Sequence, residues 1–148
     1  FEPAINRLNV FNPDLKIVFT LSPVRHLKDG FEENSLSKAL LRSAIHQLVE
    51  KGRQVSYFPA FEIMMNDLRD YRFYTKDMLH PSEQAVDYIW DKFCSRYMNA
   101  NTLALMRRVE NLEAAKNHLP RFPNSAAHQK HKAFIQKEIA ALKKFIQD

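Results

Sequence analysis

An aspartate and a histidine three residues apart, Asp77-Met78-Leu79-His80-Pro81, stand in a loop just ahead of an expected helix. Histidine is the usual general base near neutral pH. It works when a partner on one ring nitrogen fixes the tautomer and leaves the other nitrogen free to take a proton. Three residues on a turn bring a carboxylate beside an imidazole, so His80 is the expected base and Asp77 its orienter. Pro81, expected at the first helical position, stiffens the loop. On residue types alone, the same residues also read as a turn acid and a helix-flanking histidine.

Three further side chains are candidates for substrate contact. Arg25 and His26 follow the first expected strand and suit an anionic or polar substrate. Glu62 follows the second, where a capping or ion-pair role competes with chemistry. His26, Asp77 and His80 match no common metal-ligand spacing, so no metal and no cofactor is expected. His128 and His131 share a face of a predicted helix without further ligands and read as surface histidines. Cys94 falls inside an apolar stripe and reads as a buried structural thiol rather than a nucleophile.

Those residues must be positioned by strands and helices. Asn12-Pro13-Asp14 is a turn. Leu15 to Leu21 is a short, mostly apolar run, predicted to be a strand covered on both faces. A helix capped by Asn34 or Ser35 runs to Lys51, with Leu40, Leu41, Ala44, Ile45, Leu48 and Val49 as its apolar stripe. Gly52 is expected to stop it in a left-handed conformation. Val55 to Phe58 is a second strand, ended by Pro59. Strand, helix and strand with short joins predict a right-handed parallel crossover. The fold class is therefore α/β, with ligands at the carboxyl ends of the strands, at residues 22–26 and 59–62. A short helix over 61–68, an aromatic-rich loop over 70–79 and a helix from Pro81 to about Met98 follow. Val86, Ile89, Trp90, Phe93, Cys94 and Tyr97 mark the apolar face of the last helix. A shorter helical stretch over residues 3–9 precedes the first turn.

From Asn99 the pattern changes. Leu105, Val109 and Leu112 mark one helix, and Ile135, Ile139, Leu142 and Ile146 another. Pro120 and Pro123 break the chain between them, which predicts an antiparallel helical hairpin. Residues 1–98 carry 13 Lys/Arg and 13 Asp/Glu, whereas residues 99–148 carry 9 and 4, so the whole excess of +5 falls in the tail. The basic residues there are dispersed and accompany no nucleic-acid motif, so a solvated helical surface is expected rather than a nucleic-acid contact.

Composition narrows the function classes. The 148 residues are 45% hydrophobic and 26% charged, which suits a globular chain with a real core. Two glycines cannot build a phosphate loop, a dinucleotide fingerprint or a nucleophile elbow, and one cysteine excludes cysteine-based zinc sites. No apolar run is long enough to span a bilayer. With no secretory leader and a single thiol, a cytoplasmic location is the expectation.

Tyr74-Thr75-Lys76-Asp77-Met78-Leu79-His80-Pro81-Ser82, followed by the helix with Trp90 and Phe93, resembles the last block of SGNH (GDSL-like) hydrolases. More specifically, the chain resembles the GSCFA domain family. The supporting strings are Phe19-Thr20-Leu21-Ser22-Pro23-Val24-Arg25-His26, the helix with Ser37-Lys38-Ala39-Leu40-Leu41-Arg42, and Tyr57-Phe58-Pro59-Ala60-Phe61-Glu62. Asn117-His118-Leu119-Pro120-Arg121-Phe122 and His128-Gln129-Lys130 look like that family's C-terminal extension. The resemblance implies a three-layer α/β/α fold with a parallel sheet, in which Asp77 and His80 match the aspartate and histidine of a Ser-His-Asp hydrolase. The Gly-Ser-Cys-Phe-Ala motif with its presumed serine, and the blocks completing the oxyanion hole, are absent from these 148 residues.

Residues 1–98 therefore look like the C-terminal half of such a domain, and 99–148 like a basic hairpin extension. The expected substrate is a small-molecule or carbohydrate ester, and the expected partner is the upstream half of the same domain. The rival reading is a catalytically degenerate binding module that forms a homo-oligomer through its basic tail. In either case a strand edge left unpaired would promote association.

Overall fold

Proline, glycine and local hydrogen bonding set the element boundaries. A computed structural model describes residues 1–52, 54–119, 121–122 and 125–147, apart from the side chains of 146 and 147. The break expected at Pro120 and Pro123 and the side chain of Ile146 lie outside the described residues. In chain order the elements are helix α1 (Glu2–Phe11), strand β1 (Ile17–Thr20), helix α2 (Phe31–Lys51), strand β2 (Val55–Phe58), helix α3 (Ala60–Asn66), a 3-10 turn (Tyr71–Phe73), and helices α4 (Glu83–Tyr97), α5 (Ala100–Asn117) and α6 (Ala126–Gln147). This is a helix-rich α/β chain. It divides into two compact units, Phe1–Arg96 and Tyr97–Asp148.

In the first unit, β1 and β2 pair in parallel, with Ile17 opposite Val55 and Thr20 opposite Phe58. The expected strand–helix–strand crossover is thus present. The sheet is two strands wide among the described residues, so each strand has one edge without a strand partner. Alternation sends neighbouring side chains to opposite faces. On one face, the Phe1 ring meets Phe19 edge-on at 5.8 Å, and Arg42 of α2 stacks on Tyr57 at 4.3 Å. On the other, Phe58 meets Phe93 of α4 edge-on at 5.1 Å. Helices therefore lie against both faces.

The coverage is uneven, which corrects several expectations. β1 is not covered on both sides. Val18 is 38% exposed and Thr20 is exposed too, because α4 reaches across β2 but leaves the neighbouring side of β1 bare. The stripe on α2 is rotated. Lys38, Ile45 and Leu48 are its buried residues, whereas Leu40, Leu41 and Ala44 are exposed. On α4, Ala85 and Cys94 are buried, as expected for the thiol, while Val86 and Trp90 face solvent.

Both ends of α2 differ from the sequence reading. α2 begins at Phe31, not at Asn34 or Ser35, and its cap is Gly30 at φ 92, a left-handed backbone that glycine tolerates best. Asn34 instead accepts the His26 backbone N–H on Oδ1 at 3.1 Å. Gly52 is extended (φ -105, ψ 117), so it is not a left-handed stop. It is required for closeness, since a Cβ there would lie 2.6 Å from Val55 Cγ2 and 3.1 Å from the Leu48 carbonyl oxygen.

The core cluster of this unit is Met64, Leu68, Tyr74 and Ala85, with Met65, Phe73 and Ile89 packed on it. It lies beneath the loop between the 3-10 turn and α4. In the second unit, Asn99 caps α5 by accepting the Thr102 N–H at 2.8 Å. Arg108 pairs with Glu138 at 3.0 Å, and a ring nitrogen of His131 bonds the Ala115 carbonyl at 2.9 Å. Partners rising along α5 meet partners falling along α6, so the two helices run antiparallel as expected. Leu112 and Leu142 are buried between them, while Val109, expected on that face, is 42% exposed. No helix among the described residues is long and apolar enough to cross a membrane.

Candidate active site

The loop carrying Asp77 and His80 is fastened at both ends to the core. Tyr74 is buried on one side, and Ala85, fully buried, anchors α4 on the other. Between them Tyr74 and Pro81 form an antiparallel bridge, with Thr75 N–H bonded to His80 O and Ser82 N–H to Phe73 O, each at 2.8 Å. Pro81 thus sits in the bridge, not at the first helical position. The helix starts at Glu83, after Ser82 accepts the Ala85 N–H on Oγ at 3.4 Å. The closed loop is a turn, with Met78 N–H bonded to Thr75 O at 3.0 Å and Met78 at φ 62. A left-handed methionine costs roughly 1–2 kcal/mol, a cost the surrounding bonds must hold down.

Asp77 supplies most of those bonds. Its Oδ1 accepts the Thr75 hydroxyl at 2.6 Å, the Leu79 N–H at 2.8 Å and the His80 N–H at 3.1 Å. Its Oδ2 lies 2.7 Å from His80 Nδ1. The Thr75 hydroxyl first, then the two backbone N–H groups and the imidazole, hold this carboxyl far below the ordinary carboxylate range. An ionised carboxylate only accepts, so Nδ1 carries the proton and Nε2 of the neutral ring keeps its lone pair. The His80 side chain is 58% exposed, so that nitrogen is open to a reactant. Among the described residues no serine hydroxyl bonds to the ring.

Arg25 is set against this loop. Its backbone N–H bonds Leu79 O at 3.1 Å, its Nη1 lies 3.4 Å from Met78 O, and its guanidinium covers the Tyr74 ring at 4.1 Å. Glu62 is engaged elsewhere. One carboxylate oxygen pairs with Arg42 Nε at 3.0 Å, and the other accepts the Tyr57 hydroxyl at 2.7 Å. Burial, then that bond to Glu62, pushes the Tyr57 phenol well above its usual value. Arg25 and Glu62 both line a cleft of about 510 Å³ beside the carboxyl end of β1. Asp77 and His80 do not line it. His26 is exposed and joins neither group, being tied through its backbone to Asn34.

The structure therefore brings Asp77 and His80 together, docks Arg25 on their loop, and puts Arg25 and Glu62 in one cleft. It adds Lys38, which residue types alone do not single out. This lysine is 8% exposed and lines the same cleft, and its Nζ donates to Ser22 O at 2.8 Å. The signal for it is register: Lys38 stands seven residues before Ile45, two helical turns along the buried side of α2. Among the described residues no group of three or more His, Cys, Asp or Glu is placed to hold a metal ion.

The model of the GSCFA family matches residues 1–93, nearly the whole first unit, and the chain belongs to that family. No curated protein and no solved structure matches the chain.

Proposed function

We propose that this chain supplies the histidine and aspartate of a Ser-His-Asp ester hydrolase with a three-layer α/β/α architecture of the SGNH type. The observation that carries the reading is the Asp77–His80 pair, joined at 2.7 Å in a loop stapled to the core. Nε2 of His80 takes the proton of a serine hydroxyl as its oxygen attacks the ester carbonyl, and Asp77 steadies the imidazolium that forms. The same ring then returns the proton to the departing alcohol. Arg25, docked on the loop of His80, contacts the substrate, whereas Glu62 is committed to Arg42 and Tyr57 and His26 joins neither group.

The serine and the oxyanion-hole donors come from a segment outside these 148 residues. Support for such a segment comes from the surface it would cover. Val18, Thr20, Pro81, Val86, Trp90 and Phe93 line an apolar groove of about 390 Å³ on the side of the sheet where β1 is bare. The substrate is a small-molecule or carbohydrate ester.

The test is fluorophosphonate labelling, with turnover of an activated ester, of a polypeptide that joins this chain to the family's Gly-Ser-Cys-Phe-Ala segment. One labelled serine is expected, with turnover falling by about three to four orders of magnitude in D77N and at least as far in H80A. Labelling and turnover that survive H80A unchanged would refute the assignment.

A further inference from the structure

The cleft at the end of β1 holds more positive charge than the fold consumes. It is lined by three cations, Arg25, Lys38 and Arg42, and by one carboxylate, Glu62. Glu62 is already taken by Arg42 and Tyr57. Arg25 is held by a carbonyl and by the Tyr74 ring, and has no carboxylate partner among the described residues. Among the described residues Lys38 is held by one carbonyl, Ser22 O, which leaves two of its three N–H donors without a partner there. The residue is 8% exposed, and burial alone lowers the pKa of its amine. A buried ammonium with no counter-charge is costly, and such groups cluster at functional sites.

We infer that this cleft binds a small organic anion, a carboxylate or phosphate on an apolar body, held by Lys38 and Arg25. The two cations come from separate elements, the segment after β1 and the second turn of α2, and both line the cleft at the strand end where α/β sheets place ligands. Asn34 and Ser35 add polar groups on the same wall. The remaining wall suits the body of the ligand. Phe31 and Tyr71 stand 72% and 64% exposed at the cleft, and Phe61 and Met65 line it beside them. Flat apolar rings around a cationic floor select an aromatic or branched acid over a bare ion. His80 does not line this cleft, and the inference does not depend on the hydrolase reading, although Arg25 borders both.

The probes are benzoate, phenyl phosphate and the uncharged benzamide, titrated into the 148-residue chain and followed by amide shifts. Saturable binding of benzoate or phenyl phosphate is expected, with a dissociation constant of ~1 mM or tighter. The tighter of the two identifies the headgroup. Benzamide should bind at least roughly tenfold more weakly, and K38M and R25Q should each weaken the anion roughly tenfold or more. K38M should melt no lower than the parent, because methionine removes the uncompensated charge at similar volume. Failure of both anions to saturate, equal binding of benzamide, or parent-like benzoate binding by K38M and R25Q would overturn the site. So would a K38M chain less stable than the parent alongside an R25Q chain that binds benzoate normally, since that result assigns the lysine to the fold.

Discussion

One carboxylate does two jobs at the candidate site. Asp77 closes its own loop through three donors on Oδ1 and aims the His80 ring through Oδ2. The pairing was readable from an aspartate and a histidine three apart. The threonine two residues upstream, which contributes most to the carboxyl's acidity, was not, because nothing in the residue order shows which hydroxyl turns inward. The lowered pKa fixes the direction of its effect on stability. An unfolded chain carries Asp77 at the ordinary value of about 4, so on acidification the unfolded state takes up the proton first. The stabilisation is whole above that value, declines as pH falls below it, and is gone below the lower, folded value. Carbon-detected carboxyl shifts across an acid titration should therefore show Asp77 still ionised below the ordinary aspartate value of about 4. Titration of Asp77 at that ordinary value would contradict the bonding described.

Elements were legible where local chemistry decides them, and less so where packing does. The turn at 12–14, the two strands and their parallel pairing follow from proline, β-branching and the short joins. The buried side of α2 does not, because its leucines outnumber the positions that the two-stranded sheet can cover. Leu40 and Leu41 stay in water while Lys38 goes in. Gly52 shows the same limit, since a glycine after a helix signals a left-handed stop unless the next strand crowds it. G52A keeps an allowed backbone but drives its methyl into Val55 and the Leu48 carbonyl. It should lower the unfolding free energy by about 1–3 kcal/mol in urea denaturation. An unchanged midpoint would mean that the α2–β2 junction has slack that the contact distances deny.

At the scale of the whole molecule, family membership was legible because strings from several elements occur together in order, and the family model covers residues 1–93. An unpaired strand edge was expected from the sequence, and among the described residues each strand has one edge without a strand partner; the apolar groove walled by Val86 and Trp90 was not legible, because only folding assembles it. Open edges beside apolar surface favour association. Sedimentation velocity should show concentration-dependent self-association of the 148-residue chain that W90E weakens and that removal of residues 97–148 leaves in place. Loss of association on that truncation, with W90E behaving as the parent, would favour the basic hairpin as the oligomerisation element.

The central claim is that Asp77 presents His80 with its Nε2 lone pair free, and imidazole nitrogen NMR reads this on the chain itself. At a pH where the ring is neutral, His80 should be in the Nδ1–H form. D77N should shift it to the Nε2–H form, because the asparagine amide faces Nδ1 with a donor. An Nε2–H ring in the parent chain, or a tautomer indifferent to D77N, would contradict the account.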